Sequence, residues 1–236
     1  MKNRSRRTFL IQSSASVAAL SGFNNVPAAE SSKSDPVAPT IEQYADALKG
    51  SAALEAPLEW KQTEESADER FFRRSAPFRA KVSPPGSAGV PLLIGGHVWG
   101  LTTRAPLRNA VVEVWHADAS GRFDNDNPAK PPPRDLFLYR ARMISDESGY
   151  FEFETVKPGA YQTPQGKWRA SHIRVRAQYP GYHPISTQIY FRGDPRQDED
   201  TFFKSSLAID LRELKLGGTV IKSGRFDMLL DPVEVK

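Results

Sequence analysis

From Val90 onward, short apolar or alternating runs are separated by clusters of Gly, Pro, Asp and Asn. Pro91 to Trp99, Ala110 to His116, Phe137 to Ile144, Tyr150 to Val156, Ser171 to Tyr179, Thr187 to Arg192, Ser206 to Leu211 and Gly224 to Leu230 all read as strands. Eight such runs with turn residues between them predict an all-β fold, an antiparallel β-sandwich. Asp146-Glu147-Ser148-Gly149 supplies a turn, after which Phe151 and Phe153 alternate with Glu152 and Glu154. On Ser171 to Ala177, Ile173 and Val175 point to the core, so His172, Arg174 and Arg176 share the opposite face. The next strand sets Thr187, Ile189 and Phe191 against Gln188, Tyr190 and Arg192, and the two polar faces are expected side by side. On pattern alone they are solvent faces of a sheet.

Upstream of Val90 the texture differs. Thr40-Ile41-Glu42-Gln43 has capping-box spacing, Ile41, Tyr44, Ala45 and Leu48 follow at helical period, and Gly50 stands at a C-terminal cap, so one short helix is expected. Residues 51–89, rich in charge and Pro, read as an irregular covering arm, and Glu30 to Pro39 as a polar tether. Ser5-Arg6-Arg7-Thr8-Phe9-Leu10 is a twin-arginine pattern ahead of the uncharged run Phe9 to Phe23, and Val26-Pro27-Ala28-Ala29 offers small residues for cleavage. The expected organisation is a signal peptide over 1–29, tether, helix and arm over 30–89, and the sandwich over 90–236. The mature protein is expected in the periplasm or outside the cell, with no membrane association after cleavage.

Charge changes the picture once the leader is removed. Lys2, Arg4, Arg6 and Arg7 precede any acid, and without them the 32 basic residues become 28, equal to the 28 acidic ones. A balanced chain gives no electrostatic case for nucleic acid. With no cysteine there is no disulfide framework, thiolate nucleophile or Cys-based metal site. The long stretch Ala117 to Arg134, where Asp, Asn and Pro dominate, is a loop of the length that carries function.

Several segments together resemble the intradiol ring-cleavage dioxygenases, in particular their exported, protocatechuate dioxygenase-like branch. They are Gly95-Gly96-His97-Val98, Asn109 to Asp118 with Gly121-Arg122-Phe123, Ser145-Asp146 with Gly149-Tyr150-Phe151, and Lys157-Pro158-Gly159-Ala160-Tyr161. Arg169-Ala170-Ser171-His172-Ile173-Arg174, and Thr187 to Phe191 with Gly193-Asp194-Pro195, complete the set. The resemblance implies a ferric ion, Fe(III), held by two tyrosinates and two histidines, on which a catechol is cleaved by O2. Hard phenolate oxygens and imidazole suit that ion. Position by position, Tyr161 and His172 match two of the ligands, whereas Phe123 stands for the other tyrosine and Arg174 for the other histidine. Phe123 has no oxygen, and a guanidinium has no lone pair to donate. Arg169 and Gln188 match pocket residues that stabilise charged substrate or intermediate.

A substitute ligand could come from Tyr139, or from His116, His97 or His183, although His116 reads as a hydrogen-bonded structural residue and His97 and His183 as structural or surface. Asp118, Asp124 and Asp126 could bind a cation, yet loop aspartates ordinarily make turns. Three readings stay open: an iron-dependent ring-cleavage enzyme acting on catecholic or phenolic compounds; a metal-free enzyme using Tyr161, His172, Arg169, Arg174 and Gln188 on an anionic or phenolic substrate; and a non-catalytic binding sandwich. Leu207, Ile209 and Leu211 leave a homo-oligomer open, although they fit an ordinary core strand equally well.

Overall fold

The computed structural model describes residues 55–66, 69–216 and 219–234, all within the compact unit Pro36–Lys236. The expected signal peptide, tether and helix over 40–50 lie outside the described residues. The strands are β1 (Pro91–Gly100), β2 (Val111–Trp115), β3 (Arg140–Ile144), β4 (Tyr150–Val156), β5 (Tyr161–Gln162) and β6 (Trp168–Arg169). They continue with β7 (His172–Gln178), β8 (Ile185–Phe191), β9 (Ala208–Ile209), β10 (Arg212–Leu216), β11 (Thr219–Arg225) and β12 (Met228–Leu230).

Two five-stranded sheets face each other. One runs β10-β11-β1-β12 with β4 on the other edge of β1; the other runs β3-β2-β7-β8-β9. Period two explains what lies between them. Leu92, Ile94, Val98, Phe151 and Phe153 of the first sheet meet Val112, Val114, Ile173, Val175 and Ile189 of the second in one buried cluster. Each such side chain contributes about 1.5–3 kcal/mol on burial, and with no disulfide this core supplies the stability.

The β-sandwich expected from the pattern is the fold, and three details differ. The sheets are not wholly antiparallel: β11 and β12 both run parallel to β1, and β9 runs parallel to β8. Parallel neighbours need a long connection, and an alternating run does not encode its partner's direction. The run 224–230 is broken at Phe226 and Asp227 into two strands, where His97 N–H of β1 donates to the Asp227 side chain instead of to a backbone carbonyl. The stretch 206–211 holds only the two-residue β9, after a single 3-10 turn at Ser205–Leu207. Leu207 and Ile209 are buried in the core and Leu211 packs against it, although of the three only Ile209 lies in a strand.

The outer face of the second sheet is not a solvent face. His172, Arg174 and Gln188 are 2%, 0% and 0% exposed, because residues 64–66 and 69–82 lie across it. Glu64 O accepts from Thr187 Oγ1, Ser66 N–H donates to Ser186 O, Phe72 packs edge-on against Trp115, and Arg79 N–H and Arg142 N–H exchange backbone bonds with Arg142 O and Pro77 O. The covered polar face is where the candidate chemistry lies.

Candidate functional site

Register brings the site residues together. β7 pairs antiparallel with β8 so that His172 faces Tyr190 and Arg174 faces Gln188, and on the other side β2 places Trp115 opposite Arg174. The β5–β6 hairpin pairs Tyr161 with Arg169. Phe123 comes from the long loop, and its approach is made possible by glycine. Gly121 has φ +83°, and a Cβ there would overlap the Ala160 carbonyl, while a Cβ on Gly159 would crowd Ala119 O. With Gly159 N–H donating to Asp118 O, loop and hairpin strand lie back to back.

The result is an aromatic cluster with a guanidinium in it. Phe123 is 5% exposed and sits between the ring of Phe71, stacked at 4.2 Å, and that of Tyr161, edge-on at 5.6 Å. Tyr161 and His172 rings are 5.8 Å apart, and Arg174 Nη2 donates to the Tyr161 hydroxyl at 3.4 Å with its guanidinium 6.0 Å from the Phe123 centroid. Phe71 holds a left-handed backbone, φ 65°, that its branched ring does not favour; Arg140 Nη1 and Asn125 Nδ2 fix it by donating to its carbonyl. His172 Nδ1 lies 2.7 Å from Ala170 O. A carbonyl only accepts, so Nδ1 carries hydrogen and the neutral ring has its lone pair on Nε2.

Behind this cluster lies a polar network that sequence reasoning did not foresee. Arg169 Nε donates to both oxygens of Asp200, and its Nη2 to Gln188 Oε1 and the Tyr190 hydroxyl. Gln188 Nε2 donates to Ser66 Oγ, which ties the arm to β8. Tyr190 donates to Gln188 Oε1 at 2.8 Å; burial, seconded by Asp200, raises its pKa and keeps it a phenol against the pull of Arg169. For Arg169 burial works downward, but Tyr161, Tyr190 and Asp200 outweigh it and hold the guanidinium above its ordinary value. The signal for Asp200 was the need itself: a guanidinium buried to 1% requires a carboxylate.

The other named residues have separate partners. Tyr139 donates its hydroxyl to Ser87 Oγ and packs against His116. His116 bonds Ala117 O and Thr155 Oγ1, and burial, helped by Arg140, lowers its pKa to about 4. His97 is fully buried beside Asp227. Exposed His183 lines a cavity of about 530 Å³ with Lys61, Thr63 and Glu64, apart from the site residues. Asp118 caps a turn through Ser120 N–H and Arg122 N–H, and buried Asp124 pairs with Arg73 and Arg140. Among the described residues no group of three or more His, Asp or Glu is placed to hold a metal.

These side chains do not fit a ferric ion of the kind the resemblance implies. Phe123 offers a ring without a donor atom and Arg174 a cation without a lone pair, leaving Tyr161 and His172. A guanidinium that hydrogen-bonds the Tyr161 oxygen also stands within a few ångströms of any cation that oxygen would ligate. Unit charges ~4 Å apart repel by ~4 kcal/mol at an effective dielectric of ~20, and a trivalent ion is repelled more strongly.

Comparison with known proteins agrees with the fold and the sequence motifs. A family profile described as Dioxygenase matches residues 76–232. Chlorocatechol 1,2-dioxygenase of Rhodococcus opacus is 31% identical over 145 residues, 55% of this chain and 55% of that protein. The protocatechuate 3,4-dioxygenase beta chain of Burkholderia cepacia is 39% identical over 108 residues, 43% of this chain and 45% of that one. The chain thus spans about half the length of the curated relatives it matches. Among solved structures, the dioxygenase domain of a dioxygenase carbohydrate-binding protein fusion from Streptomyces sp. SirexAA-E superposes with a TM-score of 0.61 at 29% identity, covering 73% of this chain and all of that domain. With two thirds of its length under the family profile and the sandwich to match, the chain belongs to the intradiol ring-cleavage dioxygenase family.

Proposed function

We propose that the protein acts on a catecholic or other phenolic aromatic compound, bound at Tyr161, His172 and Arg174, without the family's ferric centre. The observation that carries this is the convergence of a phenol, an imidazole and a buried guanidinium on aromatic walls formed by Phe71 and Phe123. A substrate ring finds apolar faces there, worth about 0.5–1.5 kcal/mol per well-placed aromatic pair beyond area burial. Its hydroxyls find Arg174 as a charge-assisted donor and His172 Nε2 as an acceptor able to take a proton. Arg169 and Gln188, braced by Asp200 and Ser66, hold the wall behind. Family membership supports aromatic compounds as the substrate class, and the curated relatives named above are dioxygenases of chlorocatechol and protocatechuate by name. Export by the twin-arginine route belongs to the same reading, and replacing Arg6 and Arg7 by Lys is expected to retain the protein in the cytoplasm.

Calorimetric titration of metal-stripped protein with catechol, 3,4-dihydroxybenzoate and hydroxyl-free benzoate tests it. Binding of the two catechols but not benzoate, weakened at least tenfold by His172→Ala, is the expected result. No binding of any phenol would overturn it. Oxygen consumption with a ring-opened dicarboxylate as product, dependent on stoichiometric iron, would instead assign iron-dependent ring cleavage.

A further inference from the structure

The member of the aromatic cluster whose side chain most needs a reason is Phe71. Its backbone sits at φ 65°, a left-handed region that glycine enters freely and phenylalanine only at a cost. The conformation is imposed from outside. Arg140 Nη1, its guanidinium held by Asp124, and Asn125 Nδ2 both donate to the Phe71 carbonyl, and Trp115 Nε1 donates to that of Arg70. Glycine would meet these backbone demands without strain, so the reason for a phenylalanine lies in its ring. That ring lies flat on Phe123, with centroids 4.2 Å and planes 18° apart, and edge-on to Tyr161 at 6.4 Å. It belongs to the covering segment, upstream of the family profile, which begins at residue 76. One wall of the site thus comes from a part of the chain that the profile does not match.

We propose that Phe71 is the size-limiting, specificity-determining residue of the site, its ring covering the face of Phe123 so that only a phenolic ligand without bulky ring substituents is admitted. The inference rests on the reading above that a phenolic aromatic compound is the ligand, and it adds which of those compounds are refused. The space at stake is the volume of the phenyl ring itself. Phe71→Gly removes that ring from between the covering segment and Phe123, and a substituent on the ligand then takes its place. The wild-type ring does not yield to such a substituent, because its segment is pinned on both sides. Upstream and at Phe71 the carbonyls are held by Trp115, Arg140 and Asn125, and downstream Phe72 packs edge-on against Trp115 while Arg73 pairs with Asp124. In an apolar pocket a single methylene too many or too few changes recognition by ~10–200-fold, so a group the size of tert-butyl is strongly discriminated.

Calorimetric titration of chelator-treated protein with catechol and with 4-tert-butylcatechol tests this. Wild type is expected to bind the bulky compound at least ~tenfold more weakly than catechol. Phe71→Gly, whose backbone is at ease at this φ, is expected to bind the bulky compound at least ~tenfold more tightly than wild type does, with a much smaller change for catechol. Phe71→Ala removes the same ring but keeps a side chain at positive φ, so it should show the same change of preference at a lower unfolding midpoint than Phe71→Gly. A ring that served the fold alone would change the midpoint and leave the ratio of the two affinities where it was. An unchanged ratio in folded Phe71→Gly, or wild type binding the bulky compound as tightly as catechol, would overturn the inference and leave the reading of function standing. If neither variant folds, by far-ultraviolet circular dichroism, the two wild-type affinities decide. Failure of both compounds to bind to wild type and variants alike would sink the reading of function, and this inference with it.

Discussion

A guanidinium as deeply buried as that of Arg169 is costly unless a carboxylate meets it, and Asp200 meets it with both oxygens while also accepting from Ala170 N–H and Phe202 N–H. Asp200→Asn removes the carboxylate that meets the charge, and breaking one side of a buried pair costs about 3–5 kcal/mol. Urea unfolding is expected to show a loss near the lower end of that range. Adding Arg169→Met to Asp200→Asn is expected to restore part of it, because the double variant no longer buries an uncompensated charge; a double variant as unstable as the sum of the singles would count against the pair. Tyr161, His172, Arg169, Gln188, Phe123 and Arg174 were legible in the sequence because the motifs around them fix their positions. Asp200 was not, since it lies in an irregular stretch where no period announces which side chain turns inward. Nor was the burial of Arg174: alternation assigns a face but not what covers it.

The loop from Ala117 to Arg134 has no strand or helix of its own and is nailed down at three places. Asp118 closes its first turn, Gly121 lies against Ala160, and Asp124 reaches both Arg140 on β3 and Arg73 of the covering segment. Asp124→Asn keeps the shape but removes the charge both arginines depend on. Limited trypsin digestion should then cut faster at Arg122 or Arg134, with a stability loss of about 3 kcal/mol or more; an unchanged digestion pattern would mean that loop packing alone suffices. Gly121→Ala acts on the same loop by a different route. It forces a Cβ into the Ala160 carbonyl at a positive φ, a strain of about 1–3 kcal/mol, and by moving Phe123 off Tyr161 it is expected to weaken phenol binding in calorimetry more than it lowers the unfolding midpoint. At this scale the pattern located β1, β2, β4, β7 and β8 well, because their apolar residues fall at strand period between clear turns. It missed β10, the charged edge strand Arg-Glu-Leu-Lys-Leu, and most of β11, Thr-Val-Ile-Lys-Ser-Gly-Arg, which pairs between β10 and β1 yet is largely exposed in its first half. The parallel pairings were illegible for a related reason, since a strand's partner is chosen by the whole topology.

The two sheets are joined by more than apolar packing. His116, just past β2 of one sheet, accepts through Nε2 from the Thr155 hydroxyl on β4 of the other, with Nδ1 donating to Ala117 O. The imidazole is 1% exposed, and burial, with Arg140 adding repulsion, brings its pKa from 6.5 down to about 4. The folded protein therefore keeps this ring neutral while the unfolded chain takes up a proton below pH 6.5. Between those two values the unfolded state binds more protons, so stability falls as pH falls, by ~1.4 kcal/mol per unit and up to ~3 kcal/mol in all, and the contribution is complete above pH 6.5. Partly buried carboxylates such as Asp227, whose pKa is lowered through bonds from His97 and Arg225 despite the opposing effect of burial, lose their contribution only at more acid pH. The window from pH 7 to 5 thus isolates the imidazole. His116→Gln keeps an amide able to accept from Thr155 but cannot titrate. Its urea-derived stability is expected to lie below wild type at pH 7 and to close on it by ~2 kcal/mol at pH 5, the other three histidines cancelling in the difference. Two pH profiles that stay parallel across that window would show that His116 takes up its proton in the folded state as readily as in the unfolded one.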